Sequence, residues 1–361
     1  MVGDRAIAPA ELLGPPYAPA SPAPFVSSET LLRVQNLKVE FHTDEGVVRA
    51  VDDVSFDVRP GETLGIVGES GSGKSVTSMA ILGLLPRYAH VSGEVYYRER
   101  ELITMKPKEL RNIRGKNIAM IFQDALASLN PVFRVGDQIA EAIKVHNPDI
   151  GRRELHDRVC ELLDLVGIPN PSERAQQYPH EFSGGMRQRV MIAMSISNEP
   201  DVLIADEPTT ALDVTIQAQV MEVIERIQDR TNSAIVLITH DLGVVAGVAD
   251  RVMVMYAGRQ AELGSIDQIF YEPKHPYTRG LLASLPRLDR RTRDDRLHRI
   301  KGQPPSLIYV PTGCPFHPRC PYAEVPGVCD STRPPFLQIE TTQWSACHFA
   351  TELDEREPAE T

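Results

Sequence analysis

The residues that decide the fold are Gly68-Glu69-Ser70-Gly71-Ser72-Gly73-Lys74-Ser75. They fit the pattern G-x-x-x-x-G-K-[S/T], which is a phosphate-binding loop, or P-loop. The apolar run 63–67 before the loop predicts a buried strand, and residues 76–85 after it predict a helix, which is the context the motif needs. Backbone N–H groups of the loop, through Val76 at the helix start, are expected to face phosphate groups. Lys74 is expected to reach the β- and γ-phosphates of a nucleotide, and the Ser75 hydroxyl to ligate Mg²⁺.

Composition limits the classes of protein to consider. The 361 residues are enough for one large domain or two modest ones, and 42% hydrophobic content allows a sizeable core. The net charge of −11 argues against a nucleic-acid backbone as the main ligand. No run approaches the ~18 consecutive apolar residues of a transmembrane helix, so we expect any membrane role to depend on a partner.

The two ends of the chain are predicted to be disordered. Residues 1–30 are rich in Ala and Pro and lack a charged segment followed by an apolar core, so they predict a disordered arm and not a secretory signal. Residues 351–361 form an acidic tail that we also expect to be disordered. A nucleotide-binding chain without a signal is expected in the cytoplasm.

The segments between the ends predict an α/β fold. Residues 31–41 and 47–58 alternate apolar and polar side chains, which indicates an antiparallel hairpin ahead of the P-loop strand. Short apolar runs at 117–122, 202–205 and 234–238 predict further buried strands, and the pattern is helical between residues 124 and 198. Strands that alternate with helices indicate a mainly parallel sheet, whose carboxyl edge is where ligands bind.

Asp206 and Glu207 close one of these apolar strands. An isolated Asp-Glu pair is usually a solvated strand end, but the P-loop upstream favours a functional interpretation. Asp206 is then expected to support Mg²⁺, and Glu207 to activate the attacking water as a general base.

Ser183-Gly184-Gly185 precede a helix and form a second candidate anion site. Backbone N–H groups at a helix N-terminus bind anions, and the Ser183 hydroxyl adds another donor. One nucleotide does not need two such sites from one chain. Two chains packed head-to-tail would place each element on the γ-phosphate held by the other chain.

With these motifs in hand, the sequence resembles the ATPase subunits of ATP-binding cassette (ABC) transporters. Ser183 to Met186 resemble the signature LSGGQ, with Phe182 in place of Leu and Met186 in place of Gln. The resemblance covers residues 31–264 and implies roles for three more positions. Gln123 would be the glutamine that contacts Mg²⁺ and the membrane subunit. Asp213 of Ala211-Leu212-Asp213 would lie at the dimer interface, and His240 would contact the γ-phosphate. Phe41 is a candidate to stack on the adenine, and a core aromatic is an equally good interpretation.

The C-terminal part is similar to that of dipeptide and oligopeptide importers, on the segments Pro273-Lys274-His275-Pro276-Tyr277-Thr278, Gly302-Gln303-Pro304-Pro305 and 313–321. The implied fold is an ABC cassette over residues 31–270, with an antiparallel β subdomain and a helical subdomain at about 124–198, followed by a C-terminal region over 271–350. The implied partners are two transmembrane permease subunits, a second ATPase subunit that is either another copy or a different chain and, indirectly, an extracytoplasmic peptide-binding protein.

Four cysteines in the C-terminal region form the pattern Cys314-x₅-Cys320-x₈-Cys329-x₁₇-Cys347. In a reducing compartment such a cluster indicates a metal site before it indicates disulfides. Four thiolates suit a 4Fe-4S cluster or Zn²⁺, and free or paired thiols remain a third interpretation. Cys160 lies in a helical apolar pattern and is expected in the core.

The sequence therefore predicts an ATP-hydrolysing subunit of a peptide importer on the cytoplasmic face of the cell membrane, with Lys74, Glu207 and His240 as catalytic residues. Three alternatives stay open at this point: an importer for nickel or another small solute, a soluble ABC protein without a transport role, and a cassette that binds ATP without hydrolysing it.

Overall fold

The computed structural model describes residues 30–124, 128–210, 213–285 and 299–358. The predicted arm lies outside these ranges except for Thr30, as do Ala211 and Leu212. Alternating and continuous apolar runs form the strands, arranged in two sheets. The strands are β1 (Leu32–Thr43), β2 (Gly46–Val58), β3 (Thr63–Val67), β4 (Ala89–Tyr97), β5 (Arg100–Glu101), β6 (Ile118–Ile121), β7 (Val202–Asp206), β8 (Ala234–Thr239), β9 (Arg251–Tyr256), β10 (Arg259–Ser265), β11 (Leu337–Glu340) and β12 (Gln343–Ser345).

The smaller sheet has four strands in the order β2-β1-β4-β5 and is antiparallel. The predicted hairpin is confirmed, with Thr43 opposite Gly46 at its turn.

The larger sheet has the order β11-β12-β10-β9-β3-β8-β7-β6. Strands β9, β3, β8, β7 and β6 are parallel to one another, while β10, β12 and β11 extend the sheet beyond β9 in antiparallel fashion. This confirms the mainly parallel α/β arrangement. Strands β11 and β12 come from the C-terminal region. The sequence analysis did not predict these two strands.

Helices connect the parallel strands and form the predicted helical subdomain between β6 and β7. They are α1 (Lys74–Ile81), α2 (Pro107–Ile113), α3 (Val135–His146), α4 (Arg152–Leu165), α5 (Pro171–Arg174), α6 (Gly184–Ser195), α7 (Val214–Thr231), α8 (Leu242–Val248), α9 (Ile266–Tyr271), α10 (Pro276–Ala283) and α11 (Val328–Ser331). In the part of the chain that the structure describes, no helix is both long enough and apolar enough to cross a membrane.

Two apolar cores lie on opposite faces of the larger sheet. In β7, Leu203 and Ala205 belong to the core that includes the helical subdomain, whereas Val202 and Ile204 belong to the core that includes the smaller sheet. The alternation follows from the two-residue period of a strand. Because β7 is buried on both faces, its sequence is a continuous apolar run.

The C-terminal tail differs from its prediction. The sequence predicts disorder over 351–361, yet up to residue 358 the chain is described, and residues 351–355 form turns. Leu353 is buried, and the carboxylate of Asp354 contacts Lys274 and Arg279. These two cations come from a distant part of the chain, which is why the local composition did not reveal the contact.

An ion-pair network joins the two sheets and generates a stability prediction. Arg251 in β9 contacts Asp57 in β2 at 3.2 Å and Glu62 at 2.8 Å, and Asp57 is only 1% exposed. Arg251→Met would leave the Asp57 charge buried without its bridging cation, so we expect a loss of about 3 kcal/mol in the free energy of unfolding, measured by urea denaturation.

The matched control is Arg49→Met, which removes the exposed cross-strand pair of Arg49 with Glu40. Such pairs contribute less than about 1 kcal/mol. The double variant Arg251→Met/Asp57→Asn should recover part of the loss. Equal losses for Arg251→Met and Arg49→Met would contradict the buried network as a stabilising link.

Candidate nucleotide-binding site

The P-loop follows β3 directly and has the backbone that the motif requires. Gly73, the residue before α1, has φ of 101°, and a Cβ there would lie 2.3 Å from the carbonyl oxygen of Ala50. Glycine is therefore required by both conformation and space. A Cβ at Gly71 would meet nothing within 4 Å, so the loop is open on that side. The Ser72 hydroxyl is buried and has no hydrogen-bond partner among the described residues. An open loop with an unpartnered donor fits a phosphate ligand.

Lys74 lies inside this loop and is 5% exposed. Its Nζ donates to the carbonyl oxygens of Gly68 at 2.7 Å and Glu69 at 3.1 Å. Burial lowers the pKa of Lys74, while the carboxylates of Glu207, Asp206 and Glu69 act in the opposite direction. A buried ammonium group is poorly solvated, so an anionic ligand would stabilise it.

Two of the three candidate Mg²⁺ ligands, Ser75 and Asp206, are adjacent. Asp206 ends β7 and is 4% exposed, and its Oδ1 accepts a hydrogen bond of 2.9 Å from the Ser75 hydroxyl. Burial raises the pKa of Asp206, and the hydrogen bond from Ser75 partly offsets this. Carboxylate and hydroxyl oxygens are the donors that Mg²⁺ prefers, so these residues fit the ion.

Glu207 lies at the centre of a cluster that the sequence predicted only in part. Its Oε2 accepts hydrogen bonds from Gln123 Nε2 at 3.2 Å and Thr210 Oγ1 at 2.7 Å, and His240 Nδ1 lies 3.5 Å away. The Glu207 N–H donates to Ile238 O in β8. Gln123, Glu207 and His240 thus converge from three strand ends. Thr210 was missed because nothing in its local pattern indicates a role.

Ser183 and Asp213 begin neighbouring helices. Ser183 Oγ accepts from the N–H of Met186 at 3.3 Å, and Asp213 Oδ1 accepts from the N–H of Ile216 at 3.0 Å. A Cβ on Gly185 would lie 2.7 Å from a methyl group of Ile216, so the starts of α6 and α7 are in close contact.

The Ser183 end of α6 faces outward, with Ser183 and Gly184 exposed. Buried Gln188 of the same helix donates to Pro208 O at 2.7 Å, which ties α6 to the segment after Glu207. The only sequence pattern that includes Gln188 is its place after the Ser-Gly-Gly element, and that pattern does not predict the contact with Pro208.

Phe41 lies on the strand pair whose second strand reaches the P-loop. It is half-buried in β1 opposite Val48 in β2, and Ala50, which lies against Gly73, is two residues farther along β2. The ring centroid of Phe41 is 6.0 Å from that of exposed Tyr88, an aromatic residue that the sequence did not single out.

The four C-terminal cysteines come together around one small cavity of about 20 Å³, together with His275, His317 and His348. Cys314 N–H donates to Cys329 O at 2.8 Å. Burial raises the pKa of Cys314 to about 11 and that of Cys320 and Cys347 to about 12. Within the described ranges, no group of three or more His, Cys, Asp or Glu side chains has an arrangement that could hold a metal ion. The structure therefore supports the convergence of the four cysteines but does not show the predicted metal centre or a 4Fe-4S cluster.

Comparison with known proteins places this site in a family. The chain matches the ABC transporter family over residues 51–210 and the C-terminal region of oligopeptide and dipeptide transporters over residues 261–326. It is 55% identical to a dipeptide transport ATP-binding protein, DppD, of Bacillus subtilis, over 85% of this chain and 90% of the relative. It is 48% identical to an oligopeptide transport ATP-binding protein, OppD, of Escherichia coli, over 89% of this chain and 93% of the relative.

A solved structure has the same cassette architecture. The ATP-binding cassette MJ0796, solved as a dimer in a post-hydrolysis state with ADP and phosphate, superposes with a TM-score of 0.59 at 25% identity over 65% of this chain and 98% of that chain. The P-loop, the acidic end of β7 and the similarity to the relatives all indicate an ABC-type ATPase. The chain therefore belongs to the ATP-hydrolysing subunits of ABC transporters, in the family of dipeptide and oligopeptide transport ATP-binding proteins.

Proposed function

We propose that this chain hydrolyses ATP to power the uptake of dipeptides or oligopeptides through separate membrane-spanning subunits. The proposal depends on one observation: the same chain contains an ABC cassette and a C-terminal region of the oligopeptide and dipeptide transporter type. The similar proteins of Bacillus subtilis and Escherichia coli are named for dipeptide and oligopeptide transport, respectively. They favour a peptide cargo over nickel or another small solute.

In this proposal residues 68–76 bind the phosphates of ATP, and Lys74 contacts the β- and γ-phosphates. Ser75, Gln123 and Asp206 would hold Mg²⁺, which neutralises phosphate charge when it is bound. The contact of Ser75 with Asp206 supports this assignment. Phe41, on the strand pair beside the loop, is the candidate for stacking on adenine.

Glu207 is placed to take a proton from the water that attacks the γ-phosphate. Its carboxylate oxygen already accepts from Gln123, which follows β6, and from Thr210, three residues farther along its own segment, so these two donors set its orientation. His240 lies beside the same oxygen and is 63% exposed, which leaves it able to contact a γ-phosphate. In this proposal the general base and the side chains that donate hydrogen bonds to it come from one chain.

The first functional prediction concerns this base. Glu207→Gln should retain MgATP binding but slow hydrolysis by about 10²-fold or more, because general-base assistance is lost. Lys74→Ala should instead lose nucleotide affinity. For both variants, ATP turnover and ATP binding are measured in the assembled transporter.

The matched control is Glu222→Gln, which neutralises an exposed carboxylate on α7 that pairs with Arg226. It should leave turnover unchanged. If Glu207→Gln hydrolyses ATP at the wild-type rate, Glu207 is not the general base.

We also propose that the complete site needs a second ATPase subunit. The Ser183-Gly184 end of α6 is exposed, and the Ser183 hydroxyl accepts a hydrogen bond from Met186 of its own helix, so an anion from outside the chain can reach this end. A helix N-terminus with free N–H groups favours that anion. The dimeric structure of the similar cassette MJ0796 supports an arrangement of two subunits.

Ser183→Arg tests the two-subunit site. The change puts bulk and charge where the partner's γ-phosphate would lie, so ATP turnover of the assembled transporter should be abolished. Binding of MgATP to the variant's own P-loop should persist, as measured by calorimetry on the purified chain. Ser172→Arg, at an exposed position of α5, is the control for the added charge. Full ATPase activity in a demonstrated monomer of the wild-type chain would refute the shared site.

The permease subunits have a candidate docking groove next to Gln123. The groove has a volume of about 300 Å³ and lies between β6 and the helical subdomain. It is flanked by large apolar side chains that are partly exposed: Leu84, Phe122 and Val145. Exposed apolar patches mark interaction surfaces, and a helical segment of a permease fits this one. Docking there would hold the chain peripherally on the cytoplasmic face of the membrane, with the peptide-binding protein on the opposite side.

We further propose a metal centre on Cys314, Cys320, Cys329 and Cys347, as a 4Fe-4S cluster with Zn²⁺ as the alternative. Support comes from the convergence of the four side chains on one small cavity, although 5, 8 and 17 residues separate them along the chain. Thiolates are the ligands of both groups, and binding would stabilise a region that has few regular elements.

Anaerobic purification of the full chain tests this centre. A 4Fe-4S cluster predicts brown protein, absorbance near ~400 nm, and about four iron and four sulfide per chain. Stoichiometric zinc in colourless protein would select the alternative. Protection from alkylation would not suffice, because a thiol with little access to solvent reacts slowly whether or not a metal is bound. Absence of both metals after anaerobic purification would overturn the proposal.

A further inference from the structure

A partly buried ion pair connects the C-terminal region to the P-loop. Arg319 directly precedes Cys320, and its guanidinium forms a two-pronged contact with the Glu69 carboxylate, Nη1 to Oε2 at 2.6 Å and Nη2 to Oε1 at 2.9 Å. The Arg319 side chain is 5% exposed and that of Glu69 is 27% exposed. Bidentate, charge-assisted pairs are strong, and low exposure limits their screening by salt.

Arg319 is also held firmly on its own side. Its Nε donates to Lys301 O at 3.0 Å, and Nη1 lies 3.3 Å from the Tyr256 hydroxyl. The guanidinium carbon lies 5.7 Å from the ring centroid of Tyr256 and 5.9 Å from that of Phe316. A planar guanidinium can make all these contacts at once, whereas a lysine ammonium cannot. Arg319 therefore presents a fixed cation to Glu69.

Tyr277 makes a second contact with the same loop residue. Its hydroxyl accepts a hydrogen bond of 2.9 Å from the Glu69 N–H, and its side chain is fully buried. The side chain and the N–H of Glu69 are thus both held by residues C-terminal to the last parallel strand. The Glu69 carbonyl oxygen in turn accepts from Lys74 Nζ. An unbroken series of contacts runs from Arg319 through Glu69 to Lys74.

We propose that Arg319 is a positioning residue for ATP binding, which acts with Tyr277 by holding the P-loop at Glu69. A glycine-rich loop loses much conformational freedom when it closes around phosphates. A loop already held in one arrangement binds more tightly, because the cost of ordering it on binding is smaller. The inference rests on the proposed P-loop site. It adds that the C-terminal region sets nucleotide affinity.

The experiment uses the full chain and measures the Kd of MgATP by calorimetry, together with KM and kcat in the assembled transporter. Arg319→Ala should raise Kd and KM about tenfold, which corresponds to about 1.4 kcal/mol. The value of kcat should stay within about twofold, since the P-loop holds the phosphates in both the ground state and the transition state. Arg319→Lys should give an intermediate KM, because lysine keeps the positive charge but cannot make the two parallel hydrogen bonds of the guanidinium to the Glu69 carboxylate.

Glu69→Gln approaches the same contact from the other side and leaves the C-terminal region intact, so it serves even where Arg319→Ala does not fold. It should raise Kd by a similar factor, and the double variant Arg319→Ala/Glu69→Gln should be no worse than the poorer single variant. Arg356→Gln is the matched control, because it removes the ion pair of Arg356 with Glu324 within the C-terminal region. Its MgATP affinity should equal that of the wild type.

Lys74→Ala separates the two proposals. If that variant keeps normal MgATP affinity, the assigned nucleotide site is wrong. If Lys74→Ala loses affinity while Glu69→Gln and folded Arg319→Ala keep it, the site stands and Arg319 is not a positioning residue. Additive effects of Arg319→Ala and Glu69→Gln would also overturn the inference.

Discussion

The register of three parallel strands is the constraint on which the candidate site depends. Val67 of β3 pairs with Thr239 of β8, and Asp206 of β7 pairs with Ile238 of the same strand. The residues that follow these strand ends must therefore emerge side by side. The P-loop, Glu207 and His240 come from distant parts of the sequence, yet the register of the strands brings them to one edge. A slip of one residue would turn the Asp206 side chain to the other face.

Two buried groups of opposite charge, Lys74 and Asp206, lie at this edge of the sheet. Lys74 and Asp206 are both buried, and burial disfavours the charged form of each. Their mutual attraction, the Ser75 hydroxyl and the two carbonyl oxygens around Lys74 offset part of that cost. A phosphate group and a divalent cation would offset more of it, because each supplies the opposite charge to one of the two groups. The site is thus built to gain stability from its ligand.

Sequence reasoning predicts the parts of this arrangement that are local. The P-loop, the apolar strand before it and the Asp206-Glu207 strand end are contiguous patterns, so their fold and relative positions follow from periodicity and parallel pairing. The contacts of Gln188 with Pro208 and of Tyr277 with Glu69 were not predicted, because each joins residues that are well separated in the sequence. Thr210 lies only three residues after Glu207, but nothing in its local pattern indicates a role. Strands β11 and β12 were missed because they are short and pair with an edge that the local sequence does not reveal. The spacing of the four cysteines suggested a common site, but only the fold shows that they surround one cavity.

The contact at Glu69 shows how a generic site can be joined to a specialised region. Phosphate binding by a P-loop uses backbone N–H groups, the lysine and the hydroxyl that follows it, so the intervening positions of G-x-x-x-x-G-K carry side chains with no required role. In this chain the first of those positions is Glu69, and Arg319 and Tyr277 from the C-terminal region both bind it. The motif leaves that side chain free for recognition by another part of the protein. The C-terminal region also extends the sheet through β12, whose Trp344 is opposite Leu263 in β10. The C-terminal region is therefore part of the same folded unit as the cassette, and it directly contacts the loop proposed to bind the phosphates.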